Sequence, residues 1–384
     1  MLKIYKVGIY EDAGLHGDEM VKYYHIYGRS VQGWMTEQSF PQRLLQLFKE
    51  IKDFDPDHII IDCHQECDHK LIFKNVYPFL ISYLNQYNKN CTVITTDYSQ
   101  ESPNPRITLE ANYGYLLGFY RDHFENIMAG KCPIINYIAP LLPEESPTKL
   151  FTCYNHRASI HRLKMVDALV RENLLDKGIV TYAYPHIYWH KSNDDTITWK
   201  YHDRSILRDE PDFKYRSSLE QTGNYLPRSF MTAWFDIVTE SRADPYEFFV
   251  TEKTLKSLFA FKPFMILGPK GFHHHLVEKY DLELYTEWFN YDFDLLDNVD
   301  DRVEGIIDNV KRLMELNQWQ LKDLRHRAMV KLIKNKLALT NIIFDKYRII
   351  PKCLQGMFDK KLNVDYEVKG IEPEFVNHMK TLGW

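Results

Sequence analysis

Short apolar runs of strand length alternate with stretches of helical periodicity along most of this chain, and that alternation restricts the fold more than any other feature. "KIYKVGIY", "DHIIIDC" and "TVITTDY" read as strands, and "PQRLLQLFKEI" between the first two carries Leu44, Leu45, Leu47 and Phe48 at helical spacing. Repeated strand and helix imply a parallel sheet with helices on its faces, because parallel strands need a crossover long enough to hold a helix. A second series begins at "LFTCYN" and runs through the helix "HRLKMVDALVREN" to the strand "KGIVTYAY". In that helix Leu163, Val166, Leu169 and Val170 form the expected apolar face, with His161, Arg162 and Arg171 outside it. "SFMTAWFDIVTES" reads as a strand ending in polar residues, and two long amphipathic helices, "VEGIIDNVKRLMEL" and "WQLKDLRHRAMVKLIKNKLAL", close the series. The expected fold class is α/β: two doubly wound units facing a cleft, with ligands beyond the carboxyl ends of the strands.

"APLLPEESPTK", Ala139 to Lys149, has three prolines, two glutamates and no apolar periodicity, so the linker is placed there. The expected domains are residues 1–145 and 150–345, followed by a tail, 346–384, that returns to the first domain. With 384 residues, 45% of them hydrophobic, the chain can bury cores of that number and size. A formal net charge of -5 excludes a globally basic nucleic-acid coat, though a local basic groove stays open. No run of eighteen apolar residues exists, and "MLKIYKVGIYED" alternates like a strand instead of carrying a signal-peptide core. A soluble, cytoplasmic protein without a membrane span is expected.

Six irregularly spaced cysteines suggest reduced thiols. "CHQECDH" fits no common zinc spacing, and the side chains of "HHH", His273 to His275, diverge on a helix or strand, so solvated or capping histidines are expected there. "DFDPD" and "YDFDLLD" contain the Asp-x-Asp of metal-dependent transfer, but acidic surface turns produce it often. No metal site and no obligatory cofactor are therefore read, with a divalent cation left open. A dehydrogenase reading is poorer still, since no GxGxxG follows a strand.

The informative stretch is "FFVTEKTLKSLFAFKPFMILGP", Phe248 to Pro269. Leu255, Leu258 and Phe259 have the spacing of a helix face, Pro263 closes the helix, and Thr251 is the natural N-cap. Glu252 in the first turn suits the helix dipole, whereas Lys253 opposes it. If a diphosphate docks at that terminus, backbone N–H groups and Lys253 can grip it while Glu252 accepts from sugar hydroxyls. The bland alternative is a surface salt bridge.

The block "FDIVTESRADPYEFFVTEKTLKSLFAFKPFMILGP" resembles the donor-binding signature of the family 10 glycosyltransferases, the alpha-1,3/4-fucosyltransferases. Thr251, Glu252, Lys253, Pro263 and Gly268 match it, as do Glu240 and Ser241; the asparagine after the first glutamate is absent, and the loop is a residue or two longer. Upstream, "YNHRASIHRLKMVDAL" is similar to the family's segment in which an arginine opens a helix, with Arg162 corresponding and Arg157 a close second. The resemblance implies a GT-B fold of two Rossmann-like domains. It also implies a nucleotide diphosphate sugar donor held by the C-terminal domain, an acceptor held by the N-terminal one, and inversion at the anomeric carbon without an obligatory metal. In that reading Lys253, Arg162 and Arg157 neutralise the leaving diphosphate, Glu252 binds the ribose, Glu240 the sugar or its hydrogen-bond network, and Tyr246 packs on the nucleotide. The structural alternatives are a solvated Arg162, a surface Glu240 and a core Tyr246.

The base that takes the acceptor proton should follow a strand of the first domain; Glu11, Asp12, Asp62, His64, Glu66 and Asp97 do, and Glu66 or Asp62 is preferred. The acceptor is a glycan or, as for phage DNA glucosyltransferases of similar build, a hydroxymethylated base in DNA, which would have to be extruded. The basic helix "KDLRHRAMVKLIKNK" tracks phosphates in the second case and is otherwise a solvated face, the favoured reading. A non-catalytic nucleotide-sugar or glycan-binding protein is the alternative from another class.

Overall fold

In the computed structural model of the chain, the described residues are 4–8, 21–25, 40–63, 77–95, 102–111, 147–155, 159–182, 232–243, 248 and 250–344. They divide into two compact units, each built on its own parallel sheet.

The first unit contains β1 (Ile4–Gly8), β2 (Val21–His25), α1 (Phe40–Phe54), β3 (His58–Cys63), α2 (Tyr77–Tyr87), β4 (Asn90–Thr95) and β5 (Ile107–Ala111). The sheet order is β2-β1-β3-β4-β5 and every pairing is parallel. The order therefore reverses between β1 and β3. Ile59 and Ile61 of β3 join one apolar cluster with Leu47 and Ile51 of α1, Leu80 and Leu84 of α2, and Val93 of β4. Ile60 between them is buried as well, so β3 is covered on both faces, as parallel sheets require. Leu45, expected on the buried face of α1, is 68% exposed. It lies two residues from Leu47, about 200° around the helix, while Leu47 and Ile51 share a stripe.

The second unit contains β6 (Lys149–Asn155), α3 (Ile160–Arg171), β7 (Gly178–Tyr182), β8 (Ala233–Thr239), α4 (Glu252–Phe259), β9 (Phe264–Leu267), α5 (Phe272–Tyr280), α6 (Val299–Met314) and α7 (Gln318–Phe344). Its strands lie in the order β7-β6-β8-β9, again all parallel. Every residue of β8 and β9 is buried. Phe235 of β8 packs edge-on against Phe289, 5.3 Å between ring centroids, and against Trp288. Helix α6 lies beside α3, tied by Lys164–Asp300 at 2.7 Å and Arg171–Glu304 at 2.6 Å.

Two expectations are corrected here. His273 is neither solvated nor a cap: it is core, its Nε2 accepting the Ile266 N–H at 2.9 Å and its Nδ1 donating to Asp294 at 2.8 Å. Asp294 itself sits on the amides of His273 and His274 at the start of α5, so the pair joins that helix to β9. Only His274 of the three is exposed. The basic helix α7 is not simply a solvated face either. Lys322, Arg327 and Lys334 are exposed, but Lys336 is buried with its ammonium 4.2 Å from the centre of the Phe261 ring, and burial pulls its pKa down to about 7.

Candidate functional site

The strand order of the second sheet reverses between β6 and β8: the chain leaves β6 toward β7 on one side and returns to β8 on the other. At such a switch point the segments leaving the two carboxyl ends diverge and open a crevice. Asn155 ends β6 and Thr239 ends β8; the Thr239 hydroxyl donates to Asn155 Oδ1 at 2.5 Å, joining the two strand ends. Helix α3 begins shortly beyond β6 and α4 beyond β8, so both present their N-termini on this side of the sheet.

Glu240, the residue after β8, is the hub. It is 1% exposed, so the surface alternative is excluded. Its carboxylate accepts from four donors: the amide of Ser241 (3.2 Å), the amide and hydroxyl of Thr251 (3.2 and 2.5 Å) and the hydroxyl of Thr254 (2.5 Å). A buried carboxylate persists only when its lone pairs are met in this way. Thr251 is the N-cap of α4, as expected, with its Oγ1 accepting from the Lys253 amide at 3.3 Å. The acceptors around the α4 N-terminus thus come from the protein itself, and the amides of Thr251 and Lys253 already have partners.

The backbone of Glu240 is held from the other side. Its carbonyl oxygen accepts from Arg162 Nη2 at 3.0 Å and from His161 Nε2 at 2.8 Å, and Arg162 also reaches the Thr239 carbonyl at 3.3 Å. Both side chains were placed outside the buried face of α3, yet Arg162 is 5% and His161 8% exposed. The packed face of the helix is His161, Arg162, Met165, Val166, Ala168 and Leu169, rotated from the apolar one because two buried strand-end carbonyls, of Thr239 and Glu240, lie within reach of its first turn. His161 Nε2 faces a carbonyl and so carries the hydrogen. Burial lowers the imidazole pKa to about 4, and the charges of Arg162, Lys253 and Arg302 push the same way. Three cations therefore act on one point of this crevice, and the ring stays neutral at pH 7.

Lys253 folds back over the start of its own helix. Its ammonium donates to Thr251 Oγ1 at 3.1 Å and to Ser241 Oγ at 3.3 Å, and the side chain is partly buried. Thr251 Oγ1 thus lies between a lysine and a buried glutamate. Of the residues singled out from the sequence, Arg162, Glu240, Ser241, Thr251 and Lys253 come together here. Glu252 takes the first position of α4 and Asp62 the penultimate position of β3, but their side chains lie outside the described residues, as do Arg157, Tyr246 and Glu66 altogether. His161, Thr254 and Arg302 were not anticipated. Arg162, Lys253 and Arg302 share one legible signal: each stands near the N-terminus of a helix, where the dipole disfavours a cation.

Among the described residues no group of three His, Cys, Asp or Glu side chains is arranged to hold a metal ion, and no helix is long and apolar enough to cross a membrane. Cys91 and Cys153 are buried free thiols, with burial pushing Cys153 up to about 12. No protein-family model and no curated protein matches the chain. A solved glycosyltransferase from Rickettsia africae ESF-5 is similar over 90% of this chain and 99% of its own, at 11% identity and a TM-score of 0.31, too low for the likeness to bear on function.

Proposed function

We propose that the chain is an inverting glycosyltransferase that holds the diphosphate of a nucleotide diphosphate sugar at the β6–β8 switch point, its two units serving as the two domains of a GT-B enzyme. The observation that carries this reading is Lys253, a first-turn cation folded onto Ser241 and Thr251 beside the strand end, within the Val-Thr-Glu-Lys block on which the resemblance rests. A cation so placed costs helix stability, and an anionic ligand offsets the cost. With the α4 amides of Thr251 and Lys253 engaged, the ammonium and the Ser241 hydroxyl are the groups offered to the phosphates. Glu240, anchored by four donors, fixes them in place.

In the reaction the acceptor hydroxyl loses its proton to a carboxylate at the end of β3 or just beyond it, Asp62 or Glu66, as its oxygen bonds to the anomeric carbon. The bond from that carbon to the diphosphate breaks, and the departing oxygens gain charge that Lys253, helped by the buried cations around His161, neutralises. Glu252 is assigned to the ribose, Arg157 to the diphosphate beside Lys253 and Arg162, and Tyr246 to the nucleotide. The acceptor is a glycan or a hydroxymethylated base in DNA.

A thermal-shift screen with GDP, UDP and CDP and their sugars tests the donor site, since a ligand that binds the folded form at 100 times its Kd stabilises it by about 2.7 kcal/mol. Wild type should shift with one nucleotide class and Lys253→Ala, still folded, should not; an equal shift in the variant ends the assignment. Slow hydrolysis of the bound donor marks a transferase, and donor binding with no hydrolysis or transfer points to the non-catalytic binder instead. Salt-sensitive binding to hydroxymethylated duplex DNA separates the two acceptors.

A further inference from the structure

Arg302 in the first turns of α6 is 2% exposed and spends its guanidinium on three backbone carbonyls. Nη1 donates to Leu296 at 2.7 Å and to Asp297 at 3.0 Å, in the segment that leads into its own helix. Nη2 reaches across to Ala243, 59 residues away in sequence, at 2.9 Å. Ala243 belongs to the irregular stretch that leaves β8, which begins with Glu240 and Ser241. That stretch is tied at its near end by the Ser241 amide on Glu240 and, farther along, by Arg302. The Ser241 hydroxyl in turn accepts from Lys253. A buried arginine whose Nε–H has no acceptor among the described residues is a costly way to brace a loop, and a site that needs its charge and its fork justifies it.

We propose that Arg302 is a positioning residue for the donor site: by clamping the Ala243 carbonyl it sets the strand-to-helix segment, and through Ser241 the ammonium of Lys253, where a diphosphate is received. Its charge reaches the same crevice, where it acts on His161 together with Arg162 and Lys253. The inference rests on the donor reading above. It adds a residue from α6, a helix that begins at Val299, 47 positions after Glu252 at the start of α4.

Calorimetric titration of the full chain with the nucleoside diphosphate selected by the screen, and with its unphosphorylated nucleoside, tests this. Wild type, Arg302→Gln, Arg302→Lys, Lys253→Ala and the Lys253→Ala/Arg302→Gln double variant are compared. Arg302→Gln is expected to bind the diphosphate about tenfold more weakly, the nucleoside being unaffected, with part of the loss recovered by Arg302→Lys. Because Arg302 acts through Lys253, adding Arg302→Gln to Lys253→Ala should change affinity by less than about twofold. Losses that multiply in the double variant, or an Arg302→Gln affinity within about twofold of wild type, overturn the inference while the donor site stands. A wild type that binds no nucleoside diphosphate overturns both. If near-ultraviolet circular dichroism shows Arg302→Gln unfolded, Arg302→Lys is judged by the same criteria, since lysine keeps the charge but cannot span the three carbonyls.

Discussion

His161 shows how one residue reports on the crevice. Its ring titrates at 6.5 when unperturbed and is pulled down to about 4 in the fold, chiefly by burial and further by the charges of Arg162, Lys253 and Arg302, against the opposing pull of its hydrogen bond to the Glu240 carbonyl. Between those values the unfolded chain binds the extra proton, so the stability contributed by the neutral ring is complete above pH 6.5 and lost as the pH falls toward 4. The loss amounts to about 3 kcal/mol. Urea unfolding of wild type and His161→Gln, which keeps a donor for the Glu240 carbonyl but cannot titrate, should show the stability difference narrowing by that amount between neutral and acidic pH. A difference that stays constant would mean that the imidazole accepts its proton in the folded chain. Glu240 was legible as a site residue from the strand-end position and the block that follows it. Its burial was not, because the four donors that permit it come from Ser241, Thr251 and Thr254, on either side of a loop whose path no local pattern specifies.

Among the elements, β8 and α4 were the most readable, since an apolar run buried along its whole length and a Thr-capped helix each follow from local chemistry. Helix α3 was read with its face turned wrongly: apolar periodicity points at Leu163 and Val170, but hydrogen bonds to Thr239 and Glu240 pull Arg162 inward. Helix α6 carries a packing constraint that its amphipathic pattern conceals. A Cβ at Gly305 would collide with the Cβ of Phe293, in the turn that supplies Asp294 to α5. Gly305→Ala should therefore destabilise the protein by about 1–3 kcal/mol, although alanine is the better helix former by about 1 kcal/mol. A rise in the urea midpoint of that variant would show the glycine to be incidental.

On the scale of the whole molecule, each unit has a parallel sheet and an apolar core of its own. Scanning calorimetry is accordingly expected to resolve two transitions, of which a nucleoside diphosphate raises only the one belonging to the second unit. A single transition, or a ligand shift in both, would show the two cores to unfold as one. Two parallel α/β sheets were determined by the sequence alone, because strand-length apolar runs separated by helical periods leave no other economical way to pair backbone and bury side chains. So was the identity of α4 as a helix opened by a threonine and burdened with a lysine. Only the tertiary structure decided that the Ser241 and Thr251 hydroxyls receive that lysine, that Arg162 and His161 hold the Glu240 carbonyl, and that Arg302 reaches the same segment from α6. The reason is physical: periodicity is a property of neighbours in the chain, whereas a buried charge is stabilised by partners that only the crossing of strand order at β6 and β8 brings within hydrogen-bond distance.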